Sequence, residues 1–186
     1  MLILKFAPAD MDSKITELMD VIHCDLPSQY ESFLRKYNGG ETPETDLTDK
    51  CKSDVRAFYG LDVGGGWDLF EILTLKKPAE LLEQGLLTIA ENSAGNFFCI
   101  DLSDGRIYLA YSDSAMKVYI ACDFNTFISL CKSGSIDKIA KLTVEEREAA
   151  MIAQGRQNEI SDELRKIWQD EYNRYKNTVQ EEVILD

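Results

Sequence analysis

Leu26-Pro27-Ser28-Gln29-Tyr30-Glu31-Ser32-Phe33-Leu34-Arg35-Lys36-Tyr37-Asn38-Gly39-Gly40 is the stretch on which the fold turns. Tyr30, Phe33, Leu34 and Tyr37 recur at three- and four-residue spacing, which puts an aromatic stripe on one face of a helix. Pro27 suits the first helical turn, where its missing N–H costs nothing. Asn38-Gly39-Gly40 stops the helix, because a left-handed residue just past the end is easiest for glycine or asparagine. A helix with so large an aromatic face needs a broad apolar surface to lie on.

That surface is encoded downstream. Leu86–Ala90, Phe97–Leu102, Arg106–Tyr111 and Lys117–Cys122 are short runs rich in aromatic and β-branched residues, separated by turn chemistry. Ser103-Asp104-Gly105 is the clearest hairpin signal, and Gly95 marks another turn between strands. Val55–Tyr59 is a further strand candidate. Helices are expected over residues 11–22, with Asp12 or Ser13 as cap, and from Asp123 to about Gly134. Trp67, Phe70, Leu73 and Leu75 form a helical or irregular apolar segment, followed by a brief turn from Pro78 to Leu82. The predicted fold class is α+β: a central, mostly antiparallel sheet flanked by helices.

After Gly134 the composition changes to twelve acidic and eight basic residues with almost no strand formers. A charged helical C-terminal extension is expected. Thr143 and Glu146 form a capping box, Gly155 is a stop, and Ser161 caps a last helix carrying Leu164, Ile167, Trp168, Tyr172, Tyr175 and Val179 on one face. The predicted division is therefore residues 1–134, an α+β domain, and residues 135–186, the extension.

Thirty-three acidic against twenty basic residues give a net charge of −13. That repels phosphates and anionic membranes, so neither nucleic acid nor membrane is an expected partner, whereas a basic protein would be drawn in quickly. Solubility alone also accounts for such a charge. The five cysteines, at 24, 51, 99, 122 and 131, fit neither zinc spacing nor a disulfide framework. Cys99 and Cys122 read as small hydrophobes within strands. The opening Met1–Phe6 lacks the features of a signal peptide, and the expected compartment is the cytoplasm.

No catalytic set stands out. His23-Cys24-Asp25 is a cysteine–histidine pair only in sequence adjacency, and Gly64-Gly65-Gly66 lacks the lysine and hydroxyl of a phosphate loop. Asp101-x-x-Asp104-Gly105 misses the alternating oxygen ligands of a calcium loop. No enzyme activity, metal or cofactor is expected. The expected partner-binding residues are the acidic loop Glu41, Glu44, Asp46 and Asp49, within a stretch from Glu41 to Lys52 read as exposed, and Trp67 as an aromatic anchor.

These segments together resemble the SUKH superfamily, named for relatives of a yeast cell-wall-synthesis regulator and abundant in bacteria as immunity proteins. The resemblance rests on Leu26-Pro27-x-x-Tyr30-x-x-Phe33-Leu34-x-x-Tyr37-Asn38-Gly39-Gly40, Phe58-Tyr59-Gly60-Leu61, Leu87-x-Ile89-Ala90-Glu91, Gly95-Asn96 and Asp101…Gly105-x-Ile107-Tyr108. It implies a structural role for Leu26, Pro27, Tyr30, Phe33, Leu34, Gly39, Gly95 and Asn96, with Asn96 as the organiser of its turn. It also implies a non-catalytic antidote that blocks a protein toxin, a nuclease or other toxic enzyme, by stoichiometric binding. The alternative it leaves open is a regulatory scaffold acting through the C-terminal helices.

Overall fold

In the computed structural model the described residues are all except 8, 9, 44, 48–51, 137 and 186. In chain order the elements are β1 (Leu2–Lys5), α1 (Met11–Ile22), α2 (Ser28–Tyr37), β2 (Gly40–Glu41), β3 (Thr45–Leu47), β4 (Ser53–Asp54) and β5 (Ala57–Phe58). There follow α3 (Leu69–Leu73), α4 (Lys76–Leu82), β6 (Leu86–Glu91), β7 (Phe97–Asp101), β8 (Ile107–Ala110), β9 (Lys117–Ala121), α5 (Phe124–Leu130) and β10 (Cys131–Ser133). The last elements are α6 (Val144–Ala153), α7 (Asp162–Tyr175) and β11 (Glu181–Glu182). The fold is α+β, as the residue patterns require.

Eight strands form one antiparallel sheet in the order β11-β1-β2-β5-β6-β7-β8-β9, and β10-β3-β4 form a second, smaller one. The four long runs read from sequence are β6 to β9, and they build the sheet's regular half. Phe98, Ile100, Ile107 and Leu109 face the main core, while Phe97, Cys99, Tyr108 and Ala110 join a smaller cluster with Leu81 of α4. That split follows from strand alternation.

The main core is aromatic. Phe33 of α2 lies 5.1 Å from Phe58 and 5.2 Å from Phe124, and Phe98 lies 5.2 Å from Phe127, ring centre to ring centre. Tyr30, Phe33, Phe58, Phe98, Phe124 and Phe127 are all fully buried. Burial of each such side chain stabilises by roughly 2–3 kcal/mol before entropy is counted. The Tyr30 hydroxyl is buried with no hydrogen-bond partner among the described residues, and burial pushes its ionisation well above the ordinary phenol value.

Several local expectations shift. Asp10, not Asp12 or Ser13, supplies the cap of α1, accepting from the Ser13 amide. The run Val55–Tyr59 is broken: its strand is only Ala57–Phe58, and β4 precedes it at Ser53–Asp54. The stretch after Gly40 is not simply an exposed loop, because it contains β2 and β3, and Thr42, Thr45 and Leu47 are buried. The Thr42 hydroxyl donates to the Val55 carbonyl at 2.6 Å, which satisfies a polar group that hydrophobic patterning cannot place inside. Cys122 is exposed, unlike Cys99.

By contacts the chain divides into two compact units, Met1–Gly134 with Glu181–Asp186, and Ser135–Gln180. The sequence reading placed everything after 134 in the extension, whereas β11 pairs with β1 through Leu2↔Glu182 and Ile3↔Glu181. Within Ser135–Gln180, Thr143 and Glu146 close a capping box at the start of α6, and the Ser161 hydroxyl caps α7 by accepting from Leu164 N–H. The Arg147 guanidinium, buried, donates to Glu171 at 2.7 Å and lies 5.8 Å from the Trp168 ring centre. Among the described residues no helix is long and apolar enough to cross a membrane.

Candidate partner-binding surface

The acidic residues singled out from sequence fall in two settings. Glu41 lies in β2 of the large sheet, opposite Leu4 of β1 and Ala57 of β5, and is half-buried. Asp46 lies in the middle strand of the small sheet, exposed, opposite Lys132 of β10 and Asp54 of β4. Its neighbours Thr45 and Leu47 are buried, so strand alternation fixes the outward direction of Asp46. Glu44 and Asp49 lie outside the described residues.

Asp54 is the acidic residue that sequence reasoning missed. It stands directly across from Asp46, and like charges so placed repel. Its carboxylate accepts from the Ser93 amide at 3.2 Å and from the Ser93 hydroxyl. Asp46, Lys52, Asp54, Asn92 and Ala94 border an open cleft of about 450 Å³. Lys132 across from Asp46 and Lys52 on the cleft bring positive charge to the same face as these two carboxylates. The only advance signal for Asp54 was its charge, shared with too many other residues to discriminate.

Trp67 occupies a separate setting before α3. Its carbonyl accepts from Gly60 N–H at 3.0 Å and its own N–H donates to Gly64 at 3.2 Å. The Arg56 guanidinium lies 5.0 Å from the Trp67 ring centre and pairs with Glu91 at 3.2 Å. The Tyr59 hydroxyl donates to the same Glu91 at 2.7 Å. Burial, reinforced by that carboxylate, raises the Tyr59 ionisation far above the ordinary phenol value, so it remains a neutral donor. Trp67 is half-buried and packs against the main core, which makes it a braced aromatic with part of its surface open to solvent.

The motif residues lie in the core or at helix and turn boundaries. Leu26, Tyr30, Phe33 and Leu34 are buried, and Pro27 sits at the N-cap of α2. Asn38 closes that helix at φ 51°, and its buried side chain binds Ala7 and Leu61, accepting from the Leu61 amide at 2.8 Å. Gly39 has φ 73°, and a Cβ there would meet the Tyr59 carbonyl at 2.6 Å. Here the chain passes too close to a second backbone for any side chain. Gly95 is different: its φ is 74° but the space around it is open, so only the turn conformation constrains it.

That turn is organised by Asn92 rather than Asn96. The Asn92 side-chain oxygen accepts from Ala94 and Asn96 amides at 3.1 and 2.8 Å. Asn96 instead accepts from the Ser112 amide at 3.1 Å, bracing the next hairpin. The turn chemistry was recognisable in sequence, but two asparagines four residues apart gave no way to divide the roles.

Elsewhere, His23 ends α1 in the left-handed region at φ 56°, and it and Cys24 are exposed. Gly64, Gly65 and Gly66 all have positive φ and open surroundings. Among the described residues no group of three or more histidine, cysteine, aspartate or glutamate side chains is placed to hold a metal ion.

An antiparallel sheet crossed by an aromatic helix, with the helix exit passing close to a second backbone at Gly39, defines an α+β domain. The chain belongs to the SMI1/KNR4 family (SUKH-1), whose family model matches residues 12–130. A comparison with curated proteins finds no match.

Proposed function

We propose that this protein is a cytoplasmic, non-catalytic immunity protein that binds a basic protein toxin, a nuclease or other toxic enzyme, and blocks it stoichiometrically. The observation that carries this reading is membership of a family known for toxin-immunity-like proteins and generally non-catalytic. The net charge of −13 supports a basic partner, because opposite charge raises the rate of encounter. The surface proposed to meet it is Glu41, Glu44, Asp46 and Asp49 extended by Asp54, with Trp67 as a second, aromatic contact.

Affinity capture from the native cell, followed by co-expression with the captured protein, tests the reading: growth should be rescued. Capture of no toxic partner under any growth condition would overturn it. Reversal of Glu41, Glu44, Asp46 and Asp49 to lysine should slow association by about tenfold or more at low salt, and unchanged kinetics would remove this surface.

A second reading, a regulatory scaffold acting through the C-terminal helices, is favoured by one observation. Ile152 of α6 and Ile167 of α7 are more than half exposed, at 55% and 54%, whereas Val179, expected on the last helix, lies beyond the end of α7 at Tyr175. Exposed aliphatic side chains of this size on helical segments suit a helix-mediated partner.

A further inference from the structure

The open edge of the large sheet has a chemistry unlike the rest of the molecule. β9 ends the strand order, and among the described residues it pairs with β8 alone. On the α4 side of the sheet, Tyr119 of β9 stands opposite Tyr108 of β8, their rings 5.9 Å apart and edge to face, and Tyr119 is 42% exposed. Lys117, two residues away, shares that side by strand alternation. On the other side, Val118 packs against the main core and Met116 is 54% exposed.

Two lysines reach this edge. Lys117 Nζ donates to the side-chain oxygen of Gln84 at 3.1 Å, and Lys77 Nζ of α4 donates to the Ser114 carbonyl. Both acceptors are neutral, and among the described residues neither lysine is in an ion pair. Burial pushes the Cys99 thiol up to about 12, and the Thr88 hydrogen bond and then the charges of Lys117 and Lys77 oppose that rise. In a chain of net charge −13, this edge carries fixed positive charge beside two tyrosines.

We propose that the β9 edge is a docking site for an extended acidic segment of a partner protein, which adds as a ninth strand. Backbone pairing supplies affinity and alternate side chains supply selection. Carboxylates on one side of the added strand meet Lys77 and Lys117, and aliphatic groups on the other side meet Val118 and Met116. Lysine on an edge strand also discourages pairing between sheets, so a neutral or basic strand is rejected where an acidic one is admitted. This surface is independent of the acidic face proposed for a basic toxin.

The test uses the full chain and a fluorescein-labelled peptide of alternating glutamate and valine, followed by anisotropy and by amide chemical shifts. Binding should shift residues 116–121 and weaken by about tenfold or more in the K77E/K117E double variant. Circular dichroism should show the double variant folded. Four results would overturn the proposal: no binding, equal binding of an alternating lysine and valine peptide, shifts confined to other elements, or concentration-dependent self-association through β9.

Discussion

Residues 1–134 and residues 135–180 reach order by different means. The first unit buries Phe33, Phe58, Phe98, Phe124 and Phe127 with essentially no exposure, whereas among the described residues of the second only Trp168 and Arg147 are classed as buried. What holds the second is local and wet: a capping box at Thr143, a serine cap at Ser161, and ion pairs of Arg165 with Glu148 and Asp162 whose members are all partly or fully exposed. Exposed pairs contribute about 1 kcal/mol or less each, and a cap contributes about 1 kcal/mol. The aromatic unit is therefore the rigid platform, and the helical unit opens at lower cost.

The largest effect is expected of Phe33→Ala. It should cost about 3–5 kcal/mol and unfold the sheet unit cooperatively, as read by urea denaturation. A loss below about 1 kcal/mol would mean the aromatic cluster is not the platform. Gly39→Ala comes next, at about 3 kcal/mol, because it combines a left-handed backbone with a Cβ that meets the Tyr59 carbonyl. Thr143→Ala should cost about 1 kcal/mol and act locally, speeding hydrogen exchange over 144–153 without changing 97–101. Equal acceleration in both segments would erase the distinction.

The smallest effect concerns alkaline pH. Tyr30 and Tyr59 have folded values raised above the ordinary 10.0, and Cys99 is raised above 9.0 to about 12. A raised folded value means full stability below the unfolded value and loss as pH rises through the folded one. Stability from urea melts should thus fall between about pH 9 and about pH 12. Tyr30→Phe should flatten part of that fall and, by removing an unpartnered buried hydroxyl, be neutral or stabilising by about 1 kcal/mol at neutral pH. A clear destabilisation would show that the hydroxyl has a partner.

The elements legible in sequence were those with local signatures. α2 announced itself through spacing and its Asn-Gly stop, β6 to β9 through composition and turns, and α6 and α7 through their caps. β1, β10 and β11 were illegible because strands of two to four residues have no usable periodicity, and their partners are far away in sequence, as Leu2↔Glu182 illustrates. The acidic candidates were legible as charges, but the strand that points Asp46 outward and sets it against Asp54 depends on pairing with β10 and β4. Buried Thr42 and Thr45 misled the reading of that segment, since hydrogen bonding rather than hydropathy places them inside.

The return of the chain to β1 changes how the two units should be separated. Leu2 N–H donates to the Ser133 hydroxyl at 2.9 Å while Leu2 pairs with Glu182, so the exit and re-entry points lie beside one residue. Cutting after 134 would strip β11 from the sheet; replacing 135–180 with a short glycine–serine linker would keep it. The most direct measurement is growth of cells co-expressing the toxin captured from the native cell with either the full chain or this excised form. Equal protection by both is expected. A folded excised form that fails to protect, or a full chain that fails, would contradict it.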